Sequence, residues 1–220
     1  LDSISDGDRS KLPGSNFYQR FYQEFYKRHE GWKDLASDWT AHKLHVARFI
    51  KARLSEKDNV LSVGCGLGII EKFLREGSFN LLEIQEVSEE PLRWVKPLFA
   101  KDAVHVGLFP DCLDSSKKFK YIYFSGVDYC FNQQEWIDIL VAARERLDDN
   151  GCCLVITTTC HLSDYSWSEI CLKIKAKIKR LLSFFGLYDL GQMMGWRRSR
   201  EDFREAMAKA GFESLTDGFL

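Results

Sequence analysis

The chain has 220 residues, more than one small domain needs and fewer than two usually take. Hydrophobic residues are 45% and charged residues 29%, a globular composition that excludes a disordered tail, a collagen-like fibre and a disulfide-stapled mini-protein. Thirty-one basic against thirty-two acidic residues leave a formal charge of −1, so no global positive field draws the chain to nucleic acid, and any electrostatic recognition is local.

In chain order, residues 1–15 are polar and contain Pro13 and Gly14, and they read as a loose arm. From Asn16 an aromatic stripe of Phe17, Tyr18, Phe21, Tyr22, Phe25 and Tyr26 recurs at helical spacing. It either faces the core or covers a ligand. A second helical pattern runs through Trp39, Leu44, Val46, Phe49, Ile50 and Leu54 and stops before the turn Lys57-Asp58-Asn59. The period then changes. Val60-Leu61-Ser62-Val63 reads as a strand, Gly64-Cys65-Gly66-Leu67-Gly68 as a loop, and Ile69, Ile70, Phe73 and Leu74 as a helix.

Further strands are expected at Leu81–Val87, Val104–Val106, Tyr121–Phe124 and Cys153–Thr158. Helices are expected through Leu92, Val95 and Leu98, and from Glu135 to Leu147, with a turn at Asp149-Asn150-Gly151. This alternation predicts an α/β fold, a Rossmann-like doubly wound and mostly parallel sheet with helices on both faces. Such sheets bind ligands at the carboxyl ends of their strands. Residues 16–220 read as one domain, interrupted by an insertion at about 160–199. Within it, Asp164 to Phe185 reads as a helix with the stripe Ile170, Ile174, Ile178, Leu181 and Phe185. Lys173, Lys175, Lys177, Lys179 and Arg180 cover the remainder. The stripe either packs on the domain or lies against a membrane surface. Ser199-Arg200-Glu201-Asp202 opens a last helix that ends at Gly211, and Phe212 to Leu220 reads as one more strand.

The seven cysteines, Cys65, Cys112, Cys130, Cys152, Cys153, Cys160 and Cys171, form no C-x-x-C pair. Most lie in apolar runs, where free cysteine behaves as a small hydrophobe, and this usage points to the reducing cytoplasm. The start of the sequence lacks the basic and apolar regions of a signal peptide, and no run of about 18 apolar residues is present.

A strand ending in Gly-x-Gly-x-Gly lets backbone approach a ligand closely, because no Cβ intervenes. Dinucleotide sites place their third small residue one position later, where this chain has the bulky Ile69. The segment Val60–Gly68 instead resembles motif I of class I S-adenosylmethionine-dependent methyltransferases. Glu86 stands where that family places an acid on the ribose hydroxyls. Glu86-Val87-Ser88-Glu89-Glu90-Pro91-Leu92, Phe119–Phe124 and Leu147-Asp148-Asp149-Asn150-Gly151 are similar to its later motifs. The likeness spans about residues 35–160. It implies S-adenosylmethionine as cofactor, held by Gly64, Cys65, Gly66, Leu67, Gly68, Glu86, Val87, Leu108, Ser125 and Gly126. The chain departs from the family at Ser62 and Val63, which replace an expected acid, at Gly107-Leu108-Phe109, which carry none, and at Lys120. No seventh strand is visible.

Methyl transfer to a hydroxyl gains from a general base. The loops after the fourth and fifth strands carry the candidates His161 and Asp128, with Tyr129 beside them. The run Gly191–Ser199 resembles methyltransferases of small-molecule and surface-glycan pathways. It implies Trp196 and Arg197, with Tyr18 of the N-terminal helix, as acceptor contacts, and Arg197 or Arg198 as a clamp on an acidic group. The family's N-amino signature after strand four is absent, and Asp128 and Asp164 do not make a metal cluster. The resulting expectation is O-methylation of a sugar or small hydroxyl compound, with a glycan or small-molecule acceptor and no nucleic acid partner. The alternatives are N-methylation of a small amine and a methyltransferase-like binding module without chemistry.

Overall fold

The structure, a computed structural model, describes residues 15–157, 160–161, 174, 178, 196, 198–213 and 216. The polar arm and most of the basic helix fall outside the described residues. Two compact units emerge, one formed by Gly14–Ser125 with Val141–Ile156 and the other by Gly126–Leu140 with Thr157–Leu215.

The first unit carries the sheet. Its strands are β1 (Val60–Val63), β2 (Leu82–Glu86), β3 (Val104–Val106), β4 (Phe119–Ser125) and β5 (Leu147–Ile156), in the order β3-β2-β1-β4-β5. Every neighbouring pair is parallel. The strands are short and apolar because a parallel sheet is covered on its faces. All four β1 residues are buried.

Helices α1 (Ser15–Tyr26), α2 (Ser37–Lys51) and α3 (Ile69–Glu76) precede and follow β1. Val46, Ala47 and Ile50 of α2 join Ile70 and Leu74 of α3 over Val60, Leu82 and Tyr123. This 3.6-period packing against a 2-period strand face explains why α2 and α3 form where the sequence predicts them. Ile84, Leu92 and Val95 make a smaller core beside Trp32, Phe99 and Val104.

Two expectations in this unit are corrected. The helix through Leu92, Val95 and Leu98 is instead two short 3₁₀ turns, Glu90–Arg93 and Lys96–Leu98. Pro91 and Pro97 lack the N–H that an α-helix interior needs. The turn at Asp149-Asn150-Gly151 lies inside β5, as an irregularity rather than a break. Phe119 pairs with Leu147 and Tyr121 with Cys152, so one β4 residue faces a four-residue excursion.

The second unit holds most of α4 (Gln133–Glu145), a two-stranded parallel pair of β6 (Cys160–His161) and β7 (Arg198–Ser199), and α5 (Arg200–Lys209). Ser199 caps α5. Its hydroxyl accepts from the Asp202 N–H at 3.1 Å, and the Asp202 carboxylate accepts from the Ser199 N–H at 2.9 Å. Gly211 has φ +83, as a helix-terminating glycine requires. Phe212, Glu213 and Thr216 are not in a strand, which corrects the expected last strand at its described positions. Ile174 and Ile178 are helical and each is 52% exposed.

Candidate active site

The cofactor side is built at the carboxyl ends of β1 and β2. Gly64, Gly66 and Gly68 have φ of +68, +57 and +68, a region costly for any residue with a Cβ. Their roles differ. A Cβ on Gly68 would lie 2.3 Å from Val95, so this glycine lets α3 seat against the chain beneath it. A Cβ on Gly66 would meet only the Tyr22 hydroxyl at 3.4 Å, and this is the glycine that leaves the loop open.

Two consecutive β2 residues hold the loop. Gln85 accepts from the Gly64 N–H through its side-chain oxygen at 3.1 Å and through its carbonyl at 3.0 Å. Its amide nitrogen donates to the Gly107 carbonyl at 2.6 Å, joining the loops after β1 and β3. Glu86 accepts from the Gly66 N–H at 3.0 Å through one oxygen and from the Val87 N–H at 2.7 Å through the other. Burial raises its pKa above the ordinary carboxylate value, and the two backbone donors oppose that shift. A carboxylate offers about four lone-pair sites, so two remain for a ribose diol. The loop and Glu86 therefore fit the adenosine portion of S-adenosylmethionine.

Aromatic side chains converge on the same unit. The Trp32 indole donates to the Leu67 carbonyl at 2.8 Å, and the Tyr26 hydroxyl donates to the Pro91 carbonyl at 2.8 Å. Trp94 packs edge-on against both Tyr26 and Trp32. Tyr26 of the N-terminal stripe thus touches the segment after β2, and Trp32 touches the glycine loop. Tyr18 lies on the same helix and is half-buried, Leu108 is 66% exposed after β3, and Ser125 closes β4.

The second unit gathers the acceptor candidates. Gly126, with φ +66, leads into a short turn at Asp128–Cys130. Asp128 is 1% exposed, and its Oδ2 accepts from the Thr157 hydroxyl at 2.9 Å. The Trp196 N–H donates to the Tyr129 carbonyl at 2.8 Å. His161 lies in β6, paired with Ser199; Arg197 and the His161 side chain lie outside the described residues.

Arg198 is not an acceptor clamp. It is 1% exposed and its guanidinium is already engaged. Nε donates to Gln133 Oε1 at 2.8 Å, and one terminal nitrogen to the Asp128 carbonyl at 2.7 Å. The other donates to the Phe131 and Asn132 carbonyls at 2.6 and 2.9 Å. The Asp128 carboxylate stands 4.0 Å away, and Trp136 and Phe203 present their rings. A planar fork with several donors can collect four acceptors in this way, which lysine cannot.

Gln85, Tyr22, Trp32 and Trp94 are not among the site residues expected from the sequence. Gln85 offers no motif signal. Tyr22 does carry one, in the stripe that reads as core or cover, whereas Trp32 and Trp94 lie outside that stripe. Among the described residues no group of three or more His, Cys, Asp or Glu side chains could hold a metal, and no helix is long and apolar enough to cross a membrane. Among the described residues, Cys65, Cys112, Cys152 and Cys153 are free thiols.

Residues 32–216 match the methyltransferase-domain family. No curated protein matches the chain. Among solved structures, a methyltransferase of Thermotoga maritima is 17% identical with a TM-score of 0.58, over 90% of this chain and 80% of that one. A TehB-like methyltransferase of Corynebacterium glutamicum is 16% identical with a TM-score of 0.51, over 87% and 83%. Human N-acetylserotonin methyltransferase is 13% identical with a TM-score of 0.54; the match covers 92% of this chain but only 52% of the human one. With its five parallel strands, its glycine loop and the family match over most of its length, the chain belongs to the S-adenosylmethionine-dependent methyltransferases of class I.

Proposed function

We propose that the enzyme O-methylates a sugar or another small hydroxyl compound, in cytoplasmic glycan biosynthesis. The observation that carries this reading is the link between the segment after β4 and the segment around β7. The Trp196–Tyr129 hydrogen bond and the Arg198 contacts bring Asp128, Tyr129 and Trp196 into one assembly. The pairing of β6 with β7 adds His161 to the same unit.

A hydroxyl is a weak nucleophile, and a positioned base contributes roughly 10²–10⁴ in rate. His161 fills that role in this reading. Asp128 is buried and bonded to Thr157 beside Arg198, which suits holding the loop better than taking a proton from the acceptor. Tyr129, Trp196 and Arg197 contact the acceptor, and Arg197 pairs with an acidic group on it. S-adenosylmethionine supplies the methyl group in this reading, and alignment of donor and acceptor can by itself lower such a barrier by several kcal/mol. The exposed Ile174 and Ile178, one helical turn apart, sit among five basic residues in sequence and support contact with an anionic membrane carrying a lipid-linked acceptor.

The test is methyl transfer to a panel of hydroxylated sugars by wild type and His161→Ala. A kcat reduced roughly 10²- to 10⁴-fold, with loss of the acidic limb of the pH profile, supports the reading. Transfer to small amines with no loss in His161→Ala would replace it with N-methylation.

A further inference from the structure

Gln85 stands at the centre of the cofactor unit, and its side chain does more than the sheet requires. Its backbone pairs with Val63 of β1 on one side and with His105 of β3 on the other. The β2 residues Leu82 and Ile84 are apolar and buried, as suits a covered parallel sheet. Gln85 is also buried, at 4% exposed, and a buried amide is costly unless it is hydrogen-bonded. Here both of its ends are engaged. Oε1 accepts from the Gly64 N–H at 3.1 Å, and Nε2 donates to the Gly107 carbonyl at 2.6 Å.

The glycine loop does not need this side chain for its own attachment. The Gly64 and Cys65 N–H groups already reach the Gln85 carbonyl at 3.0 and 3.2 Å, and any residue at this position supplies that carbonyl. What the amide adds is a link between two loops on either side of β2. One is the glycine loop after β1. The other begins at Gly107, which has φ +134 and gives its N–H to the Glu86 carbonyl at 2.9 Å. Glu86, the acceptor for the ribose diol, ends the strand between them. A nucleoside carries its base and its 5′ substituent at opposite ends of the ribose. A donor seated on Glu86 therefore extends toward both loops, and the Gln85 amide spans the distance between them.

We propose that Gln85 is a positioning residue of the donor site, its amide fixing the spacing of the two loops between which S-adenosylmethionine is held. The inference rests on the glycine loop and Glu86 as that site. The role demands an amide. A carboxylate keeps an acceptor for Gly64 but sets a negative charge against the Gly107 carbonyl, and a thioether of similar length provides neither bond. A carboxyl group regains a donor when it takes up a proton.

Calorimetric titration of wild type, Gln85→Met and Gln85→Glu with S-adenosylhomocysteine tests this, with circular dichroism reporting folding separately. Gln85→Met should bind about 10- to 100-fold more weakly than wild type at about pH 8 and about pH 5.5 alike. Gln85→Glu should be at least as weak at about pH 8 and recover about tenfold or more, relative to wild type, at about pH 5.5, where burial keeps the introduced carboxyl protonated. Gln85→Met within about twofold of wild type, or a ratio of Gln85→Glu to wild-type affinity that is the same at both pH values, overturns the proposal. Should one variant fail to fold, the other decides, Gln85→Met by its affinity and Gln85→Glu by its pH response. Loss of the fold in both would assign Gln85 to the sheet and overturn the proposal as well. A wild-type chain that binds no S-adenosylhomocysteine would overturn the donor site itself, and this role with it.

Discussion

The glycine loop after β1 and the segment after β4 are held by different means. The glycine loop after β1 is fixed by its own backbone, through N–H groups given to Gln85 and Glu86 on the adjacent strand. The segment after β4 is held instead by distant groups, above all Arg198, which reaches back 65 to 70 positions in sequence to four acceptors, with Thr157 and the Trp196 N–H beside it. The first arrangement keeps side chains out so that backbone can meet a ligand. The second puts a charge into the interior so that a loop without regular structure has its carbonyls satisfied.

The difference makes the second loop the more fragile. Arg198→Met should cost about 3–5 kcal/mol, because four acceptors lose their donor and the buried Asp128 carboxylate loses its nearby charge together. Urea unfolding followed by fluorescence would measure this. Arg198→Lys should recover only part of the loss, since one ammonium cannot serve all four acceptors. A variant within about 0.5 kcal/mol of wild type would show that the loop does not depend on Arg198.

The glycine loop breaks in another way. Gly68→Ala should cost about 2–4 kcal/mol, summing the left-handed backbone and the overlap with Val95. Gly66→Ala keeps the backbone penalty but meets only Tyr22. It should therefore lose less stability than Gly68→Ala while weakening S-adenosylhomocysteine binding. Equal stability losses would erase the distinction between the packing glycine and the ligand-facing glycine.

Glu86 sharpens the same point at smaller cost. Glu86→Gln leaves one oxygen for two backbone N–H groups, so either Gly66 or Val87 loses its acceptor. Affinity for S-adenosylhomocysteine should fall about 10- to 100-fold by calorimetry. Unchanged affinity would remove Glu86 from the site.

These contrasts also explain what can be read in advance. The strand–glycine–helix unit and Glu86 are local: a short apolar run, three glycines at fixed spacing and an acid at the next strand end. The helical stripe of α2 and the helix start at Ser199 are equally local, and each forms where expected. The missed features join residues far apart. Arg198 reads as a clamp on the acceptor because the groups it actually serves are mostly carbonyls, which a sequence does not display. The helix expected through Leu92 fails for a local reason, since Pro91 and Pro97 are legible and the apolar spacing masks their effect.

The smallest effect concerns the sheet edge and follows from a charged cluster in the cofactor unit. Glu83 on β2 accepts from His105 on β3 and from Lys117, each at 2.6 Å. Burial pushes the Glu83 carboxyl upward, but the two donors and their charges outweigh it, so it lies below the ordinary carboxylate value. A group depressed in the folded state stabilises above its unfolded pKa, about 4.3, and loses that contribution as pH falls through the folded value. Wild type should therefore exceed Glu83→Gln by about 1 kcal/mol at pH 7, and the gap should close below about pH 4. Urea denaturation of both proteins across this range gives the curve. A gap that persists undiminished in acid would mean that Glu83 contributes packing rather than charge, and that the β2–β3 edge is held by its backbone ladder in the manner of the glycine loop.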